Sequence, residues 1–239
     1  MSEASRGYGV PLGPGVHFIG SYRVVVERES GGLLRYRGPG GSSLVADDLD
    51  LIAVPMYPVM KPAFVTRMIL AVFREPIIVG PEETISFYFK LPVDVAIYAT
   101  AGEGSSFQVV DVLELSGEAR LALYGPLHSG VVARKVVVDI ELSEPRPSIG
   151  YAVSKVVFKN AGRGVVRVSK LLLDASPLKI YYRRGSWEAY TQEVIVSGSQ
   201  EASIVVYGEP FKDGMVELPD PPELRPPRLF SRTDMSWGV

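Results

Sequence analysis

Ile85, Phe87, Phe89 and Leu91 alternate with Ser86, Tyr88 and Lys90. Side chains that repeat every second residue share a face only on an extended strand. Val136, Val138, Ile140 and Leu142 alternate with Lys135, Val137, Asp139 and Glu141 in the same way. Shorter versions of the signal predict strands over Phe18–Glu27, Leu33–Arg37, Val93–Thr100, Phe107–Leu115, Ala119–Tyr124 and Ser154–Asn160. Val165–Leu173, Leu178–Arg183, Glu193–Val196 and Ala202–Tyr207 complete the set, and Gly, Pro, Ser or Asp clusters separate most of them. Strands this closely spaced predict an all-β protein of antiparallel β-sandwich architecture. Ala63–Arg74 is the best helix window, but its β-branched Val65, Thr66, Ile69 and Val72 favour a fully buried strand.

Proline divides the chain further. Ser143–Ser148 (Ser-Glu-Pro-Arg-Pro-Ser) loses two backbone donors and is pushed toward extended geometry. It predicts a boundary between an N-terminal β unit, residues 1–145, and a smaller basic β unit, residues 146–218. From residue 219 onward Pro219, Pro221, Pro222, Pro226 and Pro227 predict an extended proline-rich C-terminal arm, 219–239, which carries Leu229, Phe230 and Trp237. An alternative reading makes Ser143–Ser148 an inter-strand loop in one large sandwich.

The chemistry available to the 239 residues is narrow. There is no cysteine, there are two histidines (His17 and His128), and there is a single asparagine, Asn160. Disulfides, zinc ribbons and thiol catalysis are therefore excluded. Three glutamines, one asparagine and an excess of Arg (17) over Lys (8) point to a thermophilic source. The N-terminus has no signal-peptide pattern, and the most apolar window, Ala63–Phe73, is interrupted by Arg67. That window falls short of the roughly 20 apolar residues a membrane helix needs. The expectation is a cytoplasmic protein with no membrane contact, no cofactor and no metal.

Several short motifs invite a chemical reading. Asp47-Asp48-Leu49-Asp50 clusters carboxylates but lacks the Gly and later Glu of an EF-hand, so it reads as a solvated turn. Gly38-Pro39-Gly40-Gly41-Ser42-Ser43 lacks the Lys-Ser/Thr of a P-loop and reads as a hairpin loop. Neither His17 nor His128 has a nucleophile motif beside it, and both read as surface or loop histidines. Glu82, Glu83, Glu103 and Glu188 could supply the two carboxylates of a carbohydrate hydrolase, but sequence cannot pair them. No catalytic residue is assigned.

Charge is distributed unevenly. Residues 1–145 hold 12 basic and 17 acidic groups, net −5; residues 146–184 hold nine against one, net +8; residues 185–239 hold four against nine, net −5. If Leu178, Ile180 and Tyr182 face a core, Lys179, Tyr181 and Arg183 share the opposite face. Lys155 and Lys159 likewise lie on one side of their strand. With Arg167 and Arg184 they form a candidate polyanion surface, on which Tyr181 would stack bases. The competing reading is that this basic surface docks on the acidic N-terminal unit or on a second subunit.

Lys90-Leu91-Pro92-Val93-Asp94-Val95, then Leu123-Tyr124-Gly125-Pro126, then Gly130-Val131-Val132-Ala133-Arg134, form a series of strand-end motifs, with Tyr36-Arg37 and Tyr8-Gly9 upstream. In these the chain resembles an uncharacterised archaeal family of the domain-of-unknown-function type. The resemblance covers about the first 140 residues and implies no activity, cofactor or catalytic residue. It singles out Tyr36, Arg37, Tyr124, Gly125, Pro126, Gly130 and Arg134, without a role. The expected function is a non-catalytic binding or assembly protein with a protein partner or a second copy of itself. Nucleic acid or another polyanion is the alternative ligand, and carbohydrate hydrolysis the least supported reading.

Overall fold

A computed structural model describes residues 7–58, 66–101, 107–117, 120–198, 202–210 and 212–217. The expected arm, 219–239, lies outside them, as do Glu103 and the first part of Ala63–Arg74. The described residues contain no helix. The strands are β1 Gly15–Ile19, β2 Tyr22–Glu29, β3 Leu33–Gly38, β4 Gly41–Ala46, β5 Asp50–Met56, β6 Met68–Val79, β7 Thr84–Pro92, β8 Asp94–Thr100 and β9 Phe107–Leu113. They continue with β10 Leu121–Tyr124, β11 Val131–Val138, β12 Tyr151–Asn160, β13 Val166–Asp174, β14 Ile180–Tyr182, β15 Ala189–Gly198, β16 Ala202–Pro210 and β17 Val216–Glu217.

Four sheets result: β1-β2-β3-β4; β5-β8-β9; β10-β11-β6-β13; and β17-β14-β15-β12-β7, with β16 also on β15. Pairing is mostly antiparallel, but β11 runs parallel to β6 and β12 parallel to β15. Both parallel pairs join strands distant in sequence, which need crossovers where neighbours need only a turn. Pairing also crosses Ser143–Ser148: β6 pairs with β13 and β7 with β12.

Two large hydrophobic clusters hold the sheets, beside a small third one of Leu70, Ala133 and Leu172. The first gathers Val24, Val26, Leu34 and Tyr36 of the β1–β4 sheet with Leu51–Val54, Val95–Tyr98 and Leu113, and takes in Ile180, Tyr182 and Ala189. The N-terminal residues complete it. Tyr8 is edge-on to Trp187 and Tyr182, Gly9 N–H donates to Ala53 O, and Tyr8 N–H donates to Ser186 O. The second cluster lies between Ile69, Ala71, Phe73, Val136, Val138 and Leu171 of one sheet and Phe87, Phe89, Leu91, Val156, Phe158 and Val194 of another. The alternation in β7 performs as expected, since Phe87, Phe89 and Leu91 are buried and Ser86 is not.

The strands differ from the sequence reading in several places, among them β17, which it does not contain, and the alternation through Ile140 and Leu142, which runs beyond the end of β11. Phe18–Glu27 is two strands, because Gly20 at φ +59° reverses the chain so that Ile19 pairs with Tyr22. β4 and β5 are unanticipated: Gly41-Ser42-Ser43 has turn composition, and β5 is buried from Leu51 to Met56 and so shows no alternation. Within the described part of Ala63–Arg74, the strand reading holds from Met68.

The lone asparagine joins the second cluster's two sheets. Asn160 is fully buried; its Nδ2 donates to Gly80 O at 2.7 Å, Gly164 O at 2.7 Å and Val79 O at 3.3 Å. Its Oδ1 accepts from Gly162 N–H at 2.9 Å. The β6–β7 turn is thus locked to the β12–β13 turn. Asn160→Ala removes all four bonds, one of them to the buried Val79 carbonyl, and should lower stability by about 2 kcal/mol in urea denaturation. Asn160→Asp should cost at least as much, because it sets an acceptor against carbonyl oxygens.

Candidate functional site

The seven candidate polyanion residues fall in separate places. Lys155 and Lys159 do share the outer side of β12, but Arg167 belongs to β13 in a different sheet. Lys179, Arg183 and Arg184 flank β14. Tyr181 is only 3% exposed, and Ile180 and Tyr182 beside it are also buried, so the expected alternation fails and Tyr181 offers no stacking platform. The cause is cover on both sides. The first cluster takes Ile180 and Tyr182, while Tyr181 pairs between Glu217 of β17 and Tyr190 of β15. Tyr190 is itself capped: Lys212 lies 4.8 Å over its ring and donates to its hydroxyl at 3.1 Å, and that hydroxyl donates to Glu144.

Carboxylates from the acidic C-terminal stretch meet the basic one. Lys155 Nζ lies 2.5 Å from Glu193, Arg183 Nε 3.0 Å from Glu188, and Lys179 pairs with Glu217. The hydrogen bond to Glu193 holds the Lys155 ammonium above its ordinary pKa. The +8 segment is therefore partly neutralised by the −5 segment that follows it.

The residues of the resemblance are mostly structural. Tyr124–Gly130 is the β10–β11 turn, in which Gly130 N–H donates to Pro126 O at 2.6 Å, and the Tyr124 ring lies under Lys170 at 5.0 Å. Arg134 is buried; its guanidinium donates to Ser116 Oγ at 2.9 Å and Gly117 O at 3.1 Å. Burial pushes its pKa down, and the negative charges of Asp94 and Glu114 oppose that shift. Tyr36 donates to Asp111 Oδ2 at 2.9 Å, and the same oxygen accepts Gly40 N–H at 3.3 Å. A Cβ on Gly40 would sit 2.1 Å from Asp111 Oδ1, so the β3–β4 loop needs glycine there for this carboxylate to approach. The loop's N–H that might have met a phosphate is held by the protein's own anion.

Arg37 is the exception, because it stands on the outer face of the β1–β4 sheet. The inner face packs on the first cluster, whereas the outer face exposes Phe18 (60%), Leu44 (55%) and Val16 (42%). Between them lie the ion pairs Arg35–Glu29 at 2.6 Å and Arg37–Glu27 at 3.1 Å, and the side chain of Arg23. Arg23, Val25, Glu27, Arg37 and Gly38 line an open depression of about 300 Å³. This face is not legible in the sequence, because reading Phe18–Glu27 as one strand hides the register that sets Phe18 beside Arg23 and Val25 beside Arg37. His17, expected at the surface, is buried in β1 with Nε2 2.7 Å from Gly13 O. It alternates with exposed Val16 and Phe18 and so points inward.

The chain belongs to the family described as protein of unknown function DUF432, whose model matches residues 12–237. No curated protein and no solved structure matches it.

Tyr36 gives this region a pH signature. Burial first, then the charge of Asp111 and the hydrogen bond to it, hold the phenol well above its ordinary value of 10.0, and burial does the same to Tyr8. In the unfolded chain both ionise near that ordinary value. Their contribution is therefore complete below pH 10 and is lost as pH rises toward the folded values. By pH 11 each should withdraw up to about 1.4 kcal/mol. Urea midpoints at pH 9 and 11 should show this loss, and Tyr36→Phe should make it smaller.

Proposed function

We propose that the protein is a non-catalytic binding or assembly protein that engages a protein partner, or a second copy of itself, through the outer face of the β1–β4 sheet. The observation that carries this reading is the exposure of Phe18, Leu44 and Val16 on a sheet whose opposite face packs on the core. Val16 and Phe18 lie beside Val25 at one edge of the face and Leu44 at the other, with charged side chains between them. Exposed apolar side chains set among charges are the usual character of an interaction surface. In the same reading, sheets facing each other across each cluster form a sandwich, and the sandwich is a rigid support for that face.

Polyanion binding has less to draw on. Lys155, Lys179 and Arg183 are engaged by Glu193, Glu217 and Glu188, and Tyr181 is covered. Lys159 and Arg167 stand exposed on different sheets.

A photo-cross-linking residue at position 44 of the full chain tests the proposal, in lysate and with the purified protein. A discrete cross-linked product is expected, and Phe18→Asp should abolish it without changing the melting temperature, since Phe18 faces outward. Cross-linking that is absent, or indifferent to Phe18→Asp, would contradict the proposal.

A further inference from the structure

We infer that the depression between Arg23 and Arg37 is a carboxylate-binding subsite, where the β1–β4 face takes an extended partner segment bearing one carboxylate beside apolar side chains. The inference rests on the reading of that face as a docking surface and names the chemistry of its occupant.

Arg23, Val25 and Glu27 are alternate residues of β2, so all three project from the outer face, and register sets Arg37 of β3 beside Val25. Arg37 gives one guanidinium nitrogen to Glu27 at 3.1 Å, and the rest of its planar fork remains available. Arg23 has no carboxylate partner among the described residues and is exposed. Two cations against one carboxylate leave a single positive charge, which one monoanion neutralises. A phosphate dianion would exceed that charge and meet Glu27 at close range. Arginine forks match planar carboxylates through paired, charge-assisted hydrogen bonds.

The apolar flank argues for a polypeptide over a small free acid. Val16 stands opposite Val25, and Phe18 opposite Arg23, one strand away from the cations. On an extended chain the side chains at i and i+2 share a face about 6.6 Å apart. On a segment that crosses the strands, a carboxylate can therefore sit at the arginines while one of its i±2 neighbours lies on the apolar edge formed by Val16 and Phe18. Charge complementarity sets the partner's chemistry, and the pleat sets its spacing.

The test uses the full chain and fluorescein-labelled acetyl-Phe-Ser-Glu-Ser-Val-amide, read by anisotropy, with a Gln-for-Glu peptide and a phosphoserine-for-Glu peptide beside it. The Glu peptide should bind about tenfold tighter than the Gln peptide and no weaker than the phosphoserine one. Arg23→Gln should erase the Glu-over-Gln preference without changing the melting temperature, and Arg23→Lys should restore part of it. Equal binding of Glu and Gln peptides, much tighter binding of the phosphopeptide, no binding at all, or a preference that survives Arg23→Gln would each overturn the inference. If the peptides fail while the Phe18-dependent cross-link at position 44 persists, the subsite falls and the docking face stands. If that cross-link is also lost, both fall.

Discussion

The four hydrogen bonds of the Asn160 carboxamide fix the relation between two sheets. Each of the β6–β7 and β12–β13 connections carries the chain from one sheet to the other. β6 and β13 pair in one, β7 and β12 in the other. The two turns must therefore stack for both ladders to form, and the buried Asn160 bridges them. Backbone bonds reinforce the bridge: Asn160 N–H donates to Glu83 O at 2.9 Å and Glu82 N–H to Gly162 O at 3.2 Å. Glu82 holds φ +55°, a conformation unfavourable for a residue with a Cβ and tolerated where surrounding contacts over-determine it. With the turns joined, Phe73 packs edge-on to Phe87 at 5.6 Å and the second cluster closes.

That body supports the other half of the molecule. β14 and the start of β15 extend from its sheet into the first cluster, where Ile180, Tyr182 and Ala189 meet β5 and β8. The β1–β4 meander then needs only its inner face for packing. Its outer face is free to carry Phe18, Leu44 and the arginines, residues the core does not require there. Elsewhere part of the surface charge is spent internally, since Glu193, Glu217 and Glu188 meet Lys155, Lys179 and Arg183 of the basic segment.

The amount legible in sequence followed the number of buried faces on each strand. β7 buries one face, and period-2 alternation identifies it; in β11 the alternation covers only Lys135–Val138, and its continuation through Ile140 and Leu142 lies beyond the strand. β5 and β14 are covered on both faces; without alternation β5 passed unread, and Tyr181 was assigned to solvent. The parallel pairing of β12 with β15 has no local signature, because nothing in either strand records its crossover partner. Asn160 stood out as the only asparagine, but the three carbonyls it binds belong to segments about eighty residues apart and to its own turn. The charge asymmetry was visible, but its resolution into local ion pairs was not, since that depends on β17 and β15 flanking β14. The face around Arg23 and Arg37 depended on the register across the Gly20 turn.

Exchange of the Asn160 side-chain amide protons with water tests the clamp most directly. A ¹⁵N-labelled sample contains one asparagine carboxamide, identifiable by its loss in an Asn160 variant, and exposed Gln108 provides an internal reference. The account predicts Asn160 Nδ2 protons that exchange orders of magnitude more slowly than those of Gln108, at a rate governed by opening of the two-sheet body. Exchange as fast as that of Gln108 would mean that the turns are not locked together, and would contradict the account.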